Sequence, residues 1–87
     1  MSDELSNYRK KIDRIDNKIV KLLSRRFSIA QDIGKIKMKA SIDINDNLRE
    51  RKIIERLSQL PNTTLSKDEI QLIYNNIFQI SKETQKS

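Results

Sequence analysis

The stretch IDRIDNKIVKLLSRRFSIAQDIGKIK, residues 12–37, decides the fold because its apolar side chains return every three or four residues. That spacing is typical of one face of an α-helix, and the same register extends back to Leu5. Ten successive positions of this stripe hold nine apolar side chains and one cation: Leu5, Tyr8, Ile12, Ile15, Ile19, Leu22, Arg26, Ile29, Ile33 and Ile36. The sequence therefore predicts one long helix, from about residue 3 to residue 38, with a guanidinium group on its apolar face.

The composition favours an all-α domain. The chain has 87 residues, of which 36% are hydrophobic and 34% are charged, with one glycine and one proline. So few turn-forming residues argue against a multi-stranded sheet. We predict a single domain over residues 1–87, with one long N-terminal helix followed by two shorter helices.

The sequence contains neither cysteine nor histidine. Disulfides, thiolate nucleophiles, imidazole bases and most transition-metal sites are thereby excluded. We expect no metal and no cofactor, so any catalysis relies on Arg, Lys, carboxylates and amides. The first residues do not resemble a signal peptide, and no apolar run reaches the roughly 18 residues that cross a bilayer, so we expect a cytoplasmic protein. The net charge of +6 fits a nucleic-acid partner, a small anionic ligand or simple solubility.

Two shorter helices are predicted after a turn at KASIDINDN, residues 39–47, where Asn and Asp interrupt the periodicity. The second helix begins at a cap among residues 45–47 and ends before Pro61. Its apolar positions are Leu48, Ile53, Ile54, Leu57 and Leu60. Ser66 and Glu69 have the spacing of a capping box and open the third helix. The apolar side of that helix comprises Ile70, Ile73, Tyr74, Ile77, Phe78 and Ile80.

The long stripe and Gly34 both require an explanation from packing. Two short helices cannot cover a stripe on a helix of about 36 residues, so a second copy of the chain is the expected partner. Gly34 costs about 1 kcal/mol relative to alanine inside a helix. Either a close approach of another backbone explains this glycine, or it is a tolerated weak point.

Polar residues occur on the apolar side of each predicted helix. Arg26 and Lys37 are eleven residues apart, which places them within about 20° around the helix and about 16 Å along it, so both head groups can reach one anion. In the second helix Asp46, Arg49, Glu50 and Ile53 follow helical spacing, so at least one carboxylate faces inward. In the third, Ser81 follows Ile77 by four residues, and Gln85 follows Ser81 by four.

Each of these polar residues also has a purely structural interpretation. Arg26 would pair with Glu50 or fix the register of a coiled coil. The others would be solvated: Lys37 at a helix end, Arg49 and Glu50 in a charged run, and Ser81 and Gln85 near the end of the third helix. Their joint occurrence, one inward polar feature on each helix, instead favours a pocket with surplus positive charge for a small polyanion.

Three motifs resemble those of a known family. They are R-x-x-I-D-x-I-D at residues 9–16, the arginine pair followed by G-K-x-K at residues 25–37, and N-D-x-x-R-E at residues 45–50. Together with the third helix they resemble the all-helical chorismate mutases of aromatic amino-acid biosynthesis, over essentially the whole chain. The resemblance implies an intertwined homodimer with two equivalent pockets, which rearranges chorismate to prephenate without a cofactor.

The resemblance also implies a role for each inward polar residue. Arg26 and Arg9 of the second copy bind the two substrate carboxylates, and Ser81 assists one of them. Independently of the family, Arg9 lies 28 residues from Lys37. That separation is about 42 Å along one straight helix, so both residues can touch one small molecule only if they belong to different copies.

The remaining implied contacts concern the ring hydroxyl and the ether oxygen. Glu50 accepts a hydrogen bond from the hydroxyl, helped by the backbone around Asp46. Lys37 and Gln85 hydrogen-bond the ether oxygen, where negative charge grows in the transition state. Arg49 lines the pocket and orients its neighbours, and Asp46 also fixes the loop before the second helix.

Three alternative functions stay open at this point. The first is a pyruvate lyase acting on isochorismate with the same fold, which product analysis separates from a mutase. The second is a basic coiled-coil module that binds nucleic acid or another helix, with an outward basic stripe and strong salt dependence. The third is a regulatory domain that kept the fold without catalysis. Few aromatic residues and interspersed acids argue against the nucleic-acid binder.

Overall fold

The computed structural model describes residues 2–86, which form three helices joined by turns. These are α1 (Ser2–Lys39), α2 (Asn47–Ser58) and α3 (Lys67–Lys86). The third helix packs against both α1 and α2. The prediction of an all-α fold with one long and two shorter helices is confirmed. Within residues 2–86, none of the helices is long and apolar enough to cross a membrane.

The carboxyl end of α1 reverses the chain through a Schellman motif. The Ser41 N–H donates to the Met38 carbonyl at 3.3 Å, and the Ile42 N–H donates to the Lys37 carbonyl at 2.8 Å. Ser41 has a φ of 55°, the left-handed conformation that usually selects glycine after a helix. The reversal carries the loop that contains Ile44 back beside the last turns of α1.

Side chains cap the two shorter helices at the predicted places. Asp46 is the N-cap of α2, and its Oδ1 accepts from the Arg49 N–H at 3.0 Å. At the start of α3 the Ser66 Oγ accepts from the Glu69 N–H at 3.1 Å, and the Glu69 carboxylate accepts from the Ser66 N–H at 2.8 Å. The predicted capping box is confirmed, and hydrogen bonds from the backbone and side chain of Ser66 to the carboxylate lower the pKa of Glu69 below its ordinary value.

A small apolar core joins α2 to α3. It contains Ile53, Ile54, Ile70 and Phe78, with Leu57 and Tyr74 packed against it. The rings of Tyr74 and Phe78 meet edge to face, with centroids 5.6 Å apart. Leu48 and Leu60, which the sequence groups with the apolar positions of α2, are half exposed, and Leu60 lies beyond the end of that helix.

The apolar stripe of α1 is uncovered in the single chain. Its nine apolar side chains are between 41% and 64% exposed, whereas α3 buries the neighbouring edge of α1 at Ala30 and Gly34. The chain measures 58 × 26 × 17 Å, because much of α1 extends away from the other two helices. Soluble monomers rarely expose an apolar surface of this extent, so the stripe has the character of an interface.

Candidate active site

A cleft of about 410 Å³ lies between the last turns of α1, the start of α2 and the end of α3. This volume is in the range of small-molecule sites in proteins. The lining combines apolar side chains, such as Ile33 and Phe78, with six charged ones: the cations Arg26, Lys37, Arg49 and Lys82 and the carboxylates Asp46 and Glu50. Four cations against two carboxylates leave the cleft positively charged.

Arg26 reaches the cleft from α1 and is held by two groups of α3. Its Nη1 donates to the Ser81 Oγ at 2.8 Å, and its guanidinium carbon lies 5.7 Å from the centre of the Tyr74 ring. Ser81 is buried, at 7% exposure. Arg26 does not form the ion pair with Glu50 that is its structural alternative. Its guanidinium group donates to the neutral Ser81 hydroxyl, and Glu50 pairs with Lys82. The positive charge of Arg26 therefore stays available to an anion.

Lys37 lies at the end of the cleft where α1 stops. Its Nζ donates to the Ile44 carbonyl at 3.3 Å, so the loop folded back by the Schellman motif holds the ammonium group. The side chain is half-buried rather than solvated at the helix end. A carbonyl partner leaves the net charge of this lysine uncompensated.

Gln85 enters the cleft from α3 because that helix approaches α1 very closely. A Cβ built on Gly34 would lie 2.3 Å from the Gln85 carbonyl oxygen and 2.6 Å from its Cα. Of the two interpretations of Gly34, close approach is therefore the correct one. The Oε1 of Gln85 is buried and has no hydrogen-bond partner among residues 2–86. A buried amide oxygen without a partner is costly, and such an atom is typical of a group that meets a ligand.

The amino end of α2 supplies the carboxylates. Asp46 uses its side chain to cap the helix, and Arg49 is exposed at the mouth of the cleft. The Oε2 of Glu50 lies 3.0 Å from the Nζ of Lys82, and the two side chains are 25% and 29% exposed. The cap fixes the first turn of α2, and it thereby fixes the direction in which Glu50 leaves the helix.

Seven of the eight candidate residues predicted from the sequence line this one cleft: Arg26, Lys37, Asp46, Arg49, Glu50, Ser81 and Gln85. The eighth, Arg9, is exposed on α1 and does not line it. Sequence reasoning missed Lys82. Its position was informative, because Lys82 follows the buried Phe78 by four residues and so points toward the same side of α3.

These features define a class of protein: an all-helical domain with a cationic cleft of the size of small-molecule sites. Family comparison makes the class specific, because the family model for chorismate mutase type II matches residues 8–86. The chain belongs to that family, as the motifs predicted.

Curated relatives cover part of the chain. It is 48% identical over 60 residues to the chorismate mutase of Methanocaldococcus jannaschii, a match that covers 69% of this chain and 61% of the relative. It is 47% identical over 58 residues to the bifunctional chorismate mutase/prephenate dehydratase of Aquifex aeolicus, covering 67% of this chain and 16% of that protein. The matched stretch thus spans less than two thirds of these relatives.

Solved structures match nearly the whole chain. The crystal structure of chorismate mutase from Helicobacter pylori in complex with prephenate superposes with a TM-score of 0.87 at 35% identity, covering 94% of this chain and 89% of that one. A conserved hypothetical protein from Pyrococcus furiosus superposes with a TM-score of 0.77 at 38% identity, covering 93% of each chain. Both similarities extend over all three helices.

Proposed function

We propose that the protein rearranges chorismate to prephenate. In this intramolecular reaction a C–O bond breaks while a C–C bond forms, with no proton transfer and no covalent intermediate. A chain without histidine or cysteine is therefore suited to it. The observation that carries the proposal is that one cleft brings Arg26, Lys37 and Gln85 together beside apolar side chains such as Ile33 and Phe78.

Substrate positioning is the first task of the cleft. Arg26 binds one carboxylate of the dianion through its planar guanidinium, and Ser81 and Tyr74 keep that group aligned. Glu50 accepts a hydrogen bond from the ring hydroxyl, while Arg49 closes the mouth. Holding a flexible substrate in its compact reactive conformation removes much of the entropic barrier.

Stabilisation of developing charge is the second task. C–O cleavage runs ahead of C–C formation, so the ether oxygen becomes more negative in the transition state. Lys37 through its ammonium group and Gln85 through its Nε2–H donate to this oxygen and interact more strongly with the transition state than with the substrate. The Ile44 carbonyl already holds the lysine ammonium, so little reorganisation accompanies the reaction.

The active form is a homodimer in which each cleft takes Arg9 from the other copy. Two features support this arrangement. The apolar stripe of α1 is exposed in the single chain, and Arg9 is about 42 Å from Lys37 along one helix. The arginine of the second copy binds the other carboxylate of the substrate, so that two guanidinium groups hold the dianion at both ends.

The proposed activity is tested with purified protein and chorismate, whose ultraviolet absorbance falls as it rearranges. We expect Arg26→Ala to reduce kcat/KM roughly 100-fold or more, because a charge-assisted pair to a carboxylate is lost. Arg25→Ala is the matched control, since Arg25 is the exposed neighbour and does not line the cleft. Release of pyruvate in place of prephenate, or equal activity of the two variants, would contradict the proposal.

The shared site is tested by mixing two inactive variants, Arg9→Ala and Arg26→Ala. A mixed dimer contains one cleft with both arginines intact, because each chain supplies what the other lacks. Co-refolding equal amounts gives mixed dimers in about half of the population, so activity should return to about a quarter of the wild-type value. If Arg9 served the cleft of its own chain, no mixture of these variants would regain activity.

A further inference from the structure

Lys82 forms an ion pair inside the cleft that no part of the proposed mechanism uses. Its Nζ lies 3.0 Å from the Oε2 of Glu50, and the pair connects α3 to α2 across the lining. Lys82 directly follows Ser81, so adjacent residues of α3 hold Arg26 on one side and Glu50 on the other. One cleft-lining side chain of α1, Arg26, and one of α2, Glu50, are therefore held by the same turn of α3.

A second ion pair between α2 and α3 provides a comparison for the burial of the Lys82–Glu50 pair. Lys67 pairs with Glu55, but these side chains are 55% and 57% exposed and lie outside the cleft. The side chains of Lys82 and Glu50 are only 29% and 25% exposed. Solvent therefore screens the first pair much more than the second, and only the second touches the proposed substrate.

The carboxylate of Glu50 has one favourable and one unfavourable effect on the proposed substrate, and Lys82 reduces the unfavourable one. A carboxylate is a good acceptor for a hydroxyl, but its charge repels a dianionic substrate. The ammonium group of Lys82 offsets this charge and engages Oε2, which leaves Oε1 free to accept from the ring hydroxyl. We propose that Lys82 is a positioning residue that holds and neutralises Glu50 for substrate recognition, an inference that rests on the proposed function.

The test is a double-mutant cycle in the chorismate assay, with the wild type, Lys82→Met, Glu50→Gln and the double variant. We expect Lys82→Met to lower kcat/KM about 10-fold and the double variant to be no worse than Glu50→Gln alone, because the lysine acts through that carboxylate. Lys82→Arg should recover most of the activity, since it keeps the cation.

The matched control is Lys67→Met, which removes the other α2–α3 ion pair and should leave kcat/KM unchanged. Thermal unfolding of every variant distinguishes loss of activity from loss of fold. Losses that multiply in the double variant, or wild-type kinetics for Lys82→Met, would overturn the inference while the wild type remains active on chorismate. A wild type without turnover would instead overturn the proposed function, and the inference with it.

Discussion

Gly34 sets the distance between α1 and the end of α3. Alanine would gain about 1 kcal/mol of helix propensity at this position. Its Cβ would meet backbone atoms of Gln85, the carbonyl oxygen at 2.3 Å, and a backbone cannot rotate away as a side chain can. The last turn of α3 must therefore shift, and the Gln85 amide shifts with it.

We expect Gly34→Ala to lower kcat at least about 10-fold, because a donor displaced by about 1 Å loses its alignment with the ether oxygen. The melting temperature should fall despite the better propensity. Steady-state kinetics and thermal unfolding measure the two effects. Ser28→Ala, on an exposed position of the same helix, is the control for propensity without a clash. A Gly34→Ala protein with a higher melting temperature and unchanged kcat would disprove this account.

Individual residues differed in how well the sequence revealed them. Arg26 was visible because it interrupts an otherwise apolar stripe. Its hydrogen-bond partner was not, since helical periodicity fixes the face of a residue but not which residue of another helix lies opposite. Ser81 rather than Glu50 occupies that position, and Glu50 pairs with Lys82. The close approach at Gly34 likewise depends on the position of α3, which no local pattern determines.

At the scale of the helix, the capping box at the start of α3 makes stability depend on pH. Hydrogen bonds from the backbone and side chain of Ser66 lower the pKa of Glu69 below its ordinary value of 4.5. A depressed pKa contributes stability above the unfolded-state value, and this contribution is lost as pH falls through the folded-state value. The ionised carboxylate also interacts favourably with the amino end of the helix.

Glu69→Gln separates titration from capping, because the amide still accepts a hydrogen bond but carries no titrating charge. We expect the melting temperature of the wild type to exceed that of the variant near neutral pH, and the difference to disappear as pH falls through the lowered folded-state pKa of Glu69. Thermal unfolding monitored by circular dichroism across this range gives the comparison. A difference that stays constant with pH would show that the charge of Glu69 contributes nothing.

Helix boundaries were predictable because their determinants are local. Asp46, Ser66 and Glu69 satisfy amide groups within three residues of themselves, so their spacing identifies each helix start. The packing face of α1 was harder to predict. The small residues Ala30 and Gly34 receive α3, while the conspicuous isoleucines beside them stay exposed. The distance to which two helices can approach decides which residues of α1 pack against α3. The hydrophobicity of a residue alone does not indicate that distance.

At the scale of the whole molecule, we predict that one charged residue on the exposed stripe of α1 prevents the association of two chains. Ile19 lies on the stripe and is 47% exposed in the single chain. We expect Ile19→Lys to convert the proposed dimer of 10.3 kDa chains into monomers and to abolish turnover, because a buried ammonium without a partner is strongly unfavourable. Analytical ultracentrifugation and the chorismate assay provide the readouts.

Asn17→Lys is the control for this substitution. Residue 17 lies about 160° around the helix from Ile19, so the same charge is added to the opposite face. This variant should sediment and react like the wild type. Monomeric behaviour of the wild-type chain, or dimers of Ile19→Lys that retain turnover, would exclude the stripe as the interface.

In the proposed dimer, the position of Arg9 outside the cleft of its own chain would tie catalytic output to chain abundance. In the proposed dimer the number of complete sites equals the number of associated chains. Far below the dissociation constant, the population of pairs rises with the square of total protein. A cell that halves its supply of this chain in that regime would lose about three quarters of the flux rather than half. The flux would then depend more steeply on gene dosage than it does for a monomeric enzyme.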